Sequence, residues 1–148
     1  MEDEEAVREP AAEFLTREGW TRPERLAISG GSNGGLLMGA ALTQRPDLFR
    51  AVVSYVGIYD MLRVELSPNG AVNVPEFGSV KDPAQFRALL AYSPYQHVKD
   101  GTAYPPALLT TGANDPRVPK ATAVKQCCDA VNRGVVQGFD ARDLLGGE

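Results

Sequence analysis

The stretch that decides the fold reads RLAISGGSNGGLLMG and runs from Arg25 to Gly39. The short apolar segment Leu26–Ser29 predicts a buried strand, and the apolar run after the glycines predicts a helix over Asn33–Gln44. The glycine-rich junction between them fits the pattern Gly-x-Ser-x-Gly, in which a serine sits on a sharp turn from strand to helix. We therefore expect the hydroxyl of Ser32 to project clear of the sheet.

This arrangement is typical of the nucleophile elbow, where a serine attacks a carbonyl carbon. We expect a Cβ at Gly30 or Gly34 to collide with the adjoining strand or helix. The backbone N–H of Asn33, at the positive end of the predicted helix, would face the oxygen of the attacked carbonyl. The alternative is a glycine-rich turn that is structural or binds phosphate. The run has neither the Lys-Ser/Thr ending nor the Gly-x-Gly-x-x-Gly spacing of the phosphate loops.

Length and composition narrow the class of protein. The 148 residues suit one domain, 43% are hydrophobic and 23% are charged, as in an ordinary globular protein. A net charge of −4 argues against a nucleic-acid partner, and no apolar run is long enough to span a membrane. The acidic start, Met1–Glu5, favours the cytoplasm. The cysteines are the adjacent Cys127 and Cys128, which predict neither a disulfide framework nor a metal site. We expect no cofactor.

The remaining pattern alternates strands with helices along the chain. Asp82 and Pro83 form the N-cap and first position of a helix that Ser93-Pro94-Tyr95 breaks. Alternation of this kind predicts the α/β class, with a mostly parallel sheet flanked by helices in one domain over residues 1–148. The other predicted elements are helices over Glu4–Glu18 and Lys120–Asn132, strands over Phe49–Val56 and Ala107–Thr111, and a weakly patterned, disordered tail over Gly134–Glu148.

A serine nucleophile needs a base, and the base needs an orienting carboxylate. Asp115 follows a predicted strand downstream of Ser32 and is the natural acid; the alternative is an aspartate that caps a turn before Pro116. The sequence holds a single histidine, His97, which precedes Asp115. His97 is therefore either an unusual base or a histidine held for structural reasons.

Several separate blocks, in the right order, give this sequence a resemblance to a known family. It resembles the catalytic domain of the prolyl oligopeptidase family of serine peptidases from about Ala11 to Pro119. The blocks are RLAISGGSNGGLL from Arg25, QRPDLF from Gln44, LAYSPY from Leu90 and LLTTGANDPRV from Leu108.

The resemblance implies a role for each matching residue. Ser32 matches the nucleophile, and Asn33 matches the residue whose backbone N–H forms half of the oxyanion hole. Asp115 matches the triad acid, and Arg117 matches an arginine that contacts a substrate carbonyl near the scissile bond. The implied fold is a partial α/β-hydrolase domain, which in the family lies beneath a β-propeller that admits short peptides.

The departures from the family pattern set the alternatives. The family's triad histidine lies beyond the acid, whereas no histidine follows Asp115. The tyrosine that completes the oxyanion hole and the propeller belong to segments outside this sequence. The connection Ser67–Gly78 lies where prolyl peptidases carry a tryptophan that stacks on proline, yet the one tryptophan is Trp20.

We therefore expect a serine hydrolase that cleaves short peptides or small esters through an acyl-enzyme on Ser32. The base would be His97, a group from a second chain, or water. The alternative is a catalytically impaired fragment that lacks the triad histidine and self-associates as a homo-oligomer through exposed strand edges. A binding module that holds an anion in the Ser32 loop is a third alternative.

Overall fold

The computed structural model of the chain describes residues 10–67 and 70–110. Its strands are β1 (Ala27–Gly31), β2 (Ala51–Tyr55) and β3 (Ala107–Thr110). Its helices are α1 (Ala11–Arg17), α2 (Asn33–Gln44), α3 (Val74–Phe77), α4 (Pro83–Tyr92) and α5 (Pro94–His97). Short 3₁₀ turns lie at Pro23–Arg25, Pro46–Leu48, Val64–Leu66 and Gly70–Asn73.

The three strands form one parallel sheet in the order β1-β2-β3. In register, Ser29 lies opposite Val53 and Val53 lies opposite Leu108. Parallel neighbours joined through a helix are the arrangement that the alternation of strands and helices predicts. The structure confirms the α/β class, with a parallel sheet flanked by helices.

Helix α2 has the bounds that the sequence predicts, and it packs on one face of the sheet. Met38 and Leu42 of this helix form a buried cluster with Val52 of β2 and Tyr104. A second cluster joins Leu36 to the connection after β2 and to α4; its buried members are Leu36, Ile58, Met61, Val64 and Leu89. Burying these side chains is the dominant favourable contribution to folding in this part of the chain.

Helix α4 begins as the sequence predicts. Asp82 is its N-cap, and the carboxylate accepts hydrogen bonds from the backbone N–H groups of Ala84 at 2.8 Å and Gln85 at 2.9 Å. These bonds satisfy two of the amides that a helix leaves unpaired at its start. The helix ends at Tyr92, and Pro94 then opens α5, because proline suits the first position of a new helix.

Other predicted bounds are shorter in the structure. Helix α1 begins at Ala11, directly after Pro10, and ends at Arg17, one residue before the predicted end at Glu18; residues 4–9 of the predicted span lie outside the described residues. Strand β2 is confined to Ala51–Tyr55. Strand β1 is not buried as predicted, because Ala27, Ser29 and Gly31 are exposed along one of its faces.

Two ion pairs of Arg45 lie at the end of α2, and one of them reaches α1. Arg45 donates to the carboxylates of Glu13 and Asp47, with the Asp47 bond at 2.9 Å. The guanidinium hydrogen bond holds the pKa of the Asp47 carboxyl below its usual range. All three side chains are at least partly exposed, so these ion pairs contribute little to the free energy of unfolding.

Several predictions lie outside the described residues. They concern Asp115, Arg117, the cysteine pair, the predicted helix over Lys120–Asn132 and the tail over Gly134–Glu148. Across residues 10–67 and 70–110, the helices are all too short or too polar to cross a membrane.

Candidate active site

Ser32 lies at the carboxyl end of β1, where the chain turns into α2. Its backbone has φ 55° and ψ −118°, in the region with positive φ that side chains rarely adopt. Two bonds hold it there: its N–H donates to the carbonyl of Tyr55 at 2.9 Å, and its carbonyl accepts from the N–H of Leu36 at 3.0 Å. Ser32 is exposed, and its hydroxyl does not cap the helix.

Two glycines are required at this turn, and one of them is not the glycine that the sequence predicts. A Cβ on Gly30 would lie 2.6 Å from the carbonyl oxygen of Gly34, as expected. The expectation for Gly34 is wrong, since a Cβ there meets nothing within 4 Å. The second required glycine is Gly35, where a Cβ would lie 2.7 Å from the Cα of Gly57. The close approach is thus between α2 and the chain leaving β2.

A buried chain of hydrogen bonds fastens the first turn of α2 to β2. The hydroxyl of Tyr59 donates to Ser54 Oγ at 2.7 Å, and Ser54 Oγ donates to the carbonyl of Gly35 at 3.0 Å. Ser54 is fully buried, and Tyr59 is 3% exposed. Buried hydroxyls that are satisfied in this way favour a single position of the helix relative to the strand.

Asn33 is the first residue of α2, and its side chain reaches a distant part of the chain. Its Nδ2 donates to Oε1 of Glu76 in α3 at 2.8 Å. The backbone N–H groups of a first helical turn have no partner within the helix and point outward at its positive end. The turn therefore presents amide donors beside the exposed hydroxyl of Ser32.

Sequence reasoning missed Glu76, which lies in a connection without a clear pattern. The pKa of the Tyr92 phenol is raised, mainly by burial and secondly by the negative charge of Glu76. No sequence signal pairs Glu76 with Asn33, since the two residues are 43 positions apart.

His97 lies at the end of α5, half-buried. Its Nδ1 lies 2.9 Å from the carbonyl oxygen of Ser93, one helical turn earlier. Among residues 10–67 and 70–110, no hydrogen bond joins His97 to Ser32. The structure thus brings together Ser32, Asn33 and Glu76, whereas the roles of His97, Asp115 and Arg117 stay predictions.

The described residues also bear on metal binding. Among them, no three His, Cys, Asp or Glu side chains are grouped so that they could hold a metal ion.

The chain is similar to known proteins over most of its length. The sequence profile of the prolyl oligopeptidase family matches residues 9–139. The chain belongs to the prolyl oligopeptidase family. The resemblance drawn from the sequence is confirmed. A prolyl endopeptidase of Dictyostelium discoideum is 48% identical over 116 residues, a span that covers 78% of this chain and 15% of the relative.

Solved structures agree with this membership. A prolyl endopeptidase chain superposes with a TM-score of 0.78 at 45% identity, covering 84% of this chain and 18% of the other. A post-proline cleaving enzyme from Rickettsia typhi gives a TM-score of 0.76 at 37% identity, with the same two coverages. The sheet and helices are therefore part of an α/β-hydrolase fold, and the chain spans less than a fifth of the length of these relatives.

Proposed function

We propose that this chain carries the acyl-transfer site of a serine hydrolase, with Ser32 as the nucleophile of a nucleophile elbow. The observation that carries the proposal is the backbone of Ser32, at φ 55° and ψ −118°, with its side chain exposed at the start of α2. Strain of this kind persists only where surrounding contacts fix it, and it is concentrated at functional sites. Membership of the prolyl oligopeptidase family supports the same reading.

In the proposed reaction, Ser32 Oγ attacks the carbonyl carbon of a peptide or ester, and the C=O π electrons move onto the oxygen. The backbone N–H of Asn33 would stabilise that oxyanion, and donors of this type contribute strongly to acyl transfer. The serine proton passes to a base and then to the leaving amine or alcohol as its bond to the carbonyl carbon breaks. Water hydrolyses the resulting acyl-enzyme.

The other roles are carried by the family resemblance and the sequence. We propose Asp115 as the triad acid and Arg117 as a donor to a substrate carbonyl. His97 is the one imidazole that the sequence offers, so it is the candidate base within this chain. Short peptides and small esters are the proposed substrates; relatives named prolyl endopeptidase make peptides with proline the first to test.

A second candidate function is non-catalytic self-association of an impaired catalytic domain. It is favoured by the open sheet face, where Tyr55 is 47% and Leu108 is 46% exposed. Strand β1 also pairs on one side only within the described part of the chain. Unpaired edges and apolar surface of this kind promote association between copies.

Turnover assays separate the two candidates. A chromogenic acetate ester and short peptide p-nitroanilides, with and without proline, would be offered to the wild type, Ser32→Ala, Ser29→Ala and His97→Ala. If the chain is a serine hydrolase, Ser32→Ala should lower the turnover rate by several powers of ten. Ser29→Ala should leave the rate unchanged. Loss in a folded His97→Ala would identify the base.

Equal rates for the wild type and Ser32→Ala would refute the hydrolase. Sedimentation velocity over a range of concentrations tests the second candidate. A species that grows with concentration supports self-association, and a strict monomer contradicts it.

A further inference from the structure

The hydrogen bond between Asn33 and Glu76 connects the start of α2 to a segment that is distant in the sequence. Glu76 lies in α3, a single turn of helix that Gly78 ends with a φ of 90°. The next residue, Phe77, packs against the buried cluster that contains Leu36, three positions after Asn33. Packing of Phe77 thus holds the backbone of α3 near α2, whereas the side chain of Glu76 is exposed and is placed by its bond to Asn33.

The bond removes an alternative that the side chain of Asn33 would otherwise have. Asparagine side chains readily hydrogen-bond to nearby backbone groups and compete with the local structure. A side chain of Asn33 turned back onto its own turn would compete for the amides that face Ser32. The bond from Nδ2 to Glu76, at 2.8 Å, holds the side chain of Asn33 away from those amides.

The same bond helps to fix a strained turn. The positive φ of Ser32 needs restraint from both sides, and its backbone N–H and C=O groups are bonded to Tyr55 and Leu36. Glu76 adds a restraint on the residue that directly follows Ser32. It acts from a third element of the fold, across a separation of 43 residues.

We propose that Glu76 is a positioning residue of the Ser32 site, which holds Asn33 so that its backbone N–H stays aimed at the oxyanion position. The inference rests on the proposed function, because it concerns the amide that would serve acyl transfer. Glu76 takes no part in bond making. Its role needs an oxygen acceptor at this position and does not need the negative charge.

The first test measures how fast a fluorophosphonate probe phosphonylates the serine, with loss of fluoride, as a function of probe concentration. Such a titration separates the first-order rate of bond formation from the binding constant. Glu76→Ala should lower the first-order rate about tenfold and leave binding unchanged, as expected for the loss of one hydrogen bond. Glu76→Gln keeps an acceptor and should stay within about threefold of wild type.

The matched control is Glu65→Ala. Glu65 lies in the same connection and accepts a hydrogen bond from the N–H of Val80 at 3.3 Å, so its removal loosens the connection without touching Asn33. This variant should label at the wild-type rate. A double variant, Asn33→Ala with Glu76→Ala, should label no more slowly than either single variant, because both changes break one bond. Equal slowing by Glu65→Ala and Glu76→Ala would overturn the inference.

A second readout does not depend on activity. The ¹⁵N order parameter of the Asn33 backbone N–H should be near the rigid value of about 0.85 in wild type and fall towards about 0.6 in Glu76→Ala. If wild type fails to label, the proposed function falls while this measurement still decides the role of Glu76. An unchanged order parameter in Glu76→Ala would overturn it.

Discussion

The two faces of the sheet differ sharply in what covers them. On the face beneath α2, Val52 is 1% exposed and Ser54 is fully buried. On the opposite face, Tyr55 of β2 is 47% exposed and Leu108 of β3 is 46% exposed. Strand β2 supplies side chains to both faces, because successive residues point to opposite sides. Burial beneath α2 thus fixes the turn that carries Ser32, and the open face adds little to it.

The largest expected difference between the faces comes from leucine truncation. Leu42→Ala should lower the free energy of unfolding by about 3 kcal/mol, because Leu42 is 2% exposed and its loss leaves a cavity against Val52. Leu108→Ala should cost less than about 1 kcal/mol. Urea unfolding of the two variants measures both values, and equal losses would show that the open face is covered in solution.

A methyl group added between α2 and β2 should have the next largest effect. Gly35→Ala forces its Cβ against backbone atoms of Gly57 and Tyr55, at 2.7 Å and 2.8 Å. Overpacking of this kind costs about 1–3 kcal/mol. Gly34→Ala, one residue earlier, meets no atom within 4 Å and should be neutral or slightly stabilising in the helix. Thermal unfolding that ranks Gly34→Ala below Gly35→Ala would contradict the described packing.

The sequence predicts those features of this region that depend on local contacts and misses those that depend on contacts between distant residues. The bounds of α2 and the exposed position of Ser32 depend on a local pattern of glycines and apolar residues, and both are predictable. The choice of Gly35 over Gly34 depends on the approach of Gly57, which no local pattern reveals. The exposure of β1 was missed because an apolar run predicts a strand and does not show what covers it.

The candidate site divides in the same way. Ser32 and Asn33 lie on one continuous turn, as the local sequence pattern predicts. Glu76 could not be predicted, because its contact with Asn33 depends on how an irregular connection folds back across 43 residues. Asp115 and Arg117 lie outside the described residues. The role of Asp115 stays a prediction from its position after a strand and from the family resemblance, and that of Arg117 stays a prediction from the resemblance.

Serine truncation compares the two faces with one chemical change. Ser54→Ala leaves the carbonyl of Gly35 without the donated bond and Tyr59 without its acceptor, both inside the core. Leaving buried polar groups unsatisfied costs about 1–2 kcal/mol. Ser29→Ala, on the exposed face of β1, should change stability by less than about 0.5 kcal/mol. Chemical denaturation that finds Ser29→Ala the more harmful change would refute the hydrogen-bond chain.

The smallest expected effect is a pH dependence of stability caused by Tyr92, which packs against the buried cluster that contains Leu36. The pKa of Tyr92 is raised, chiefly by burial, so the folded state favours the neutral phenol. That contribution is fully present below the ordinary tyrosine pKa of about 10 and is lost as pH rises through the higher folded value. Thermal melts from pH 8 to 11 should show a decline that Tyr92→Phe reduces, and an identical decline in that variant would remove Tyr92 as its source.

In the proposed function, the turn above the covered face presents an activated serine. The most direct test of this proposal is intact-mass analysis after exposure to a fluorophosphonate probe, for folded wild type and Ser32→Ala. The account predicts a single rapid adduct in wild type, mapped to Ser32 and absent from Ser32→Ala. A folded wild-type protein that stays unmodified, or a Ser32→Ala variant that labels equally fast, would contradict it.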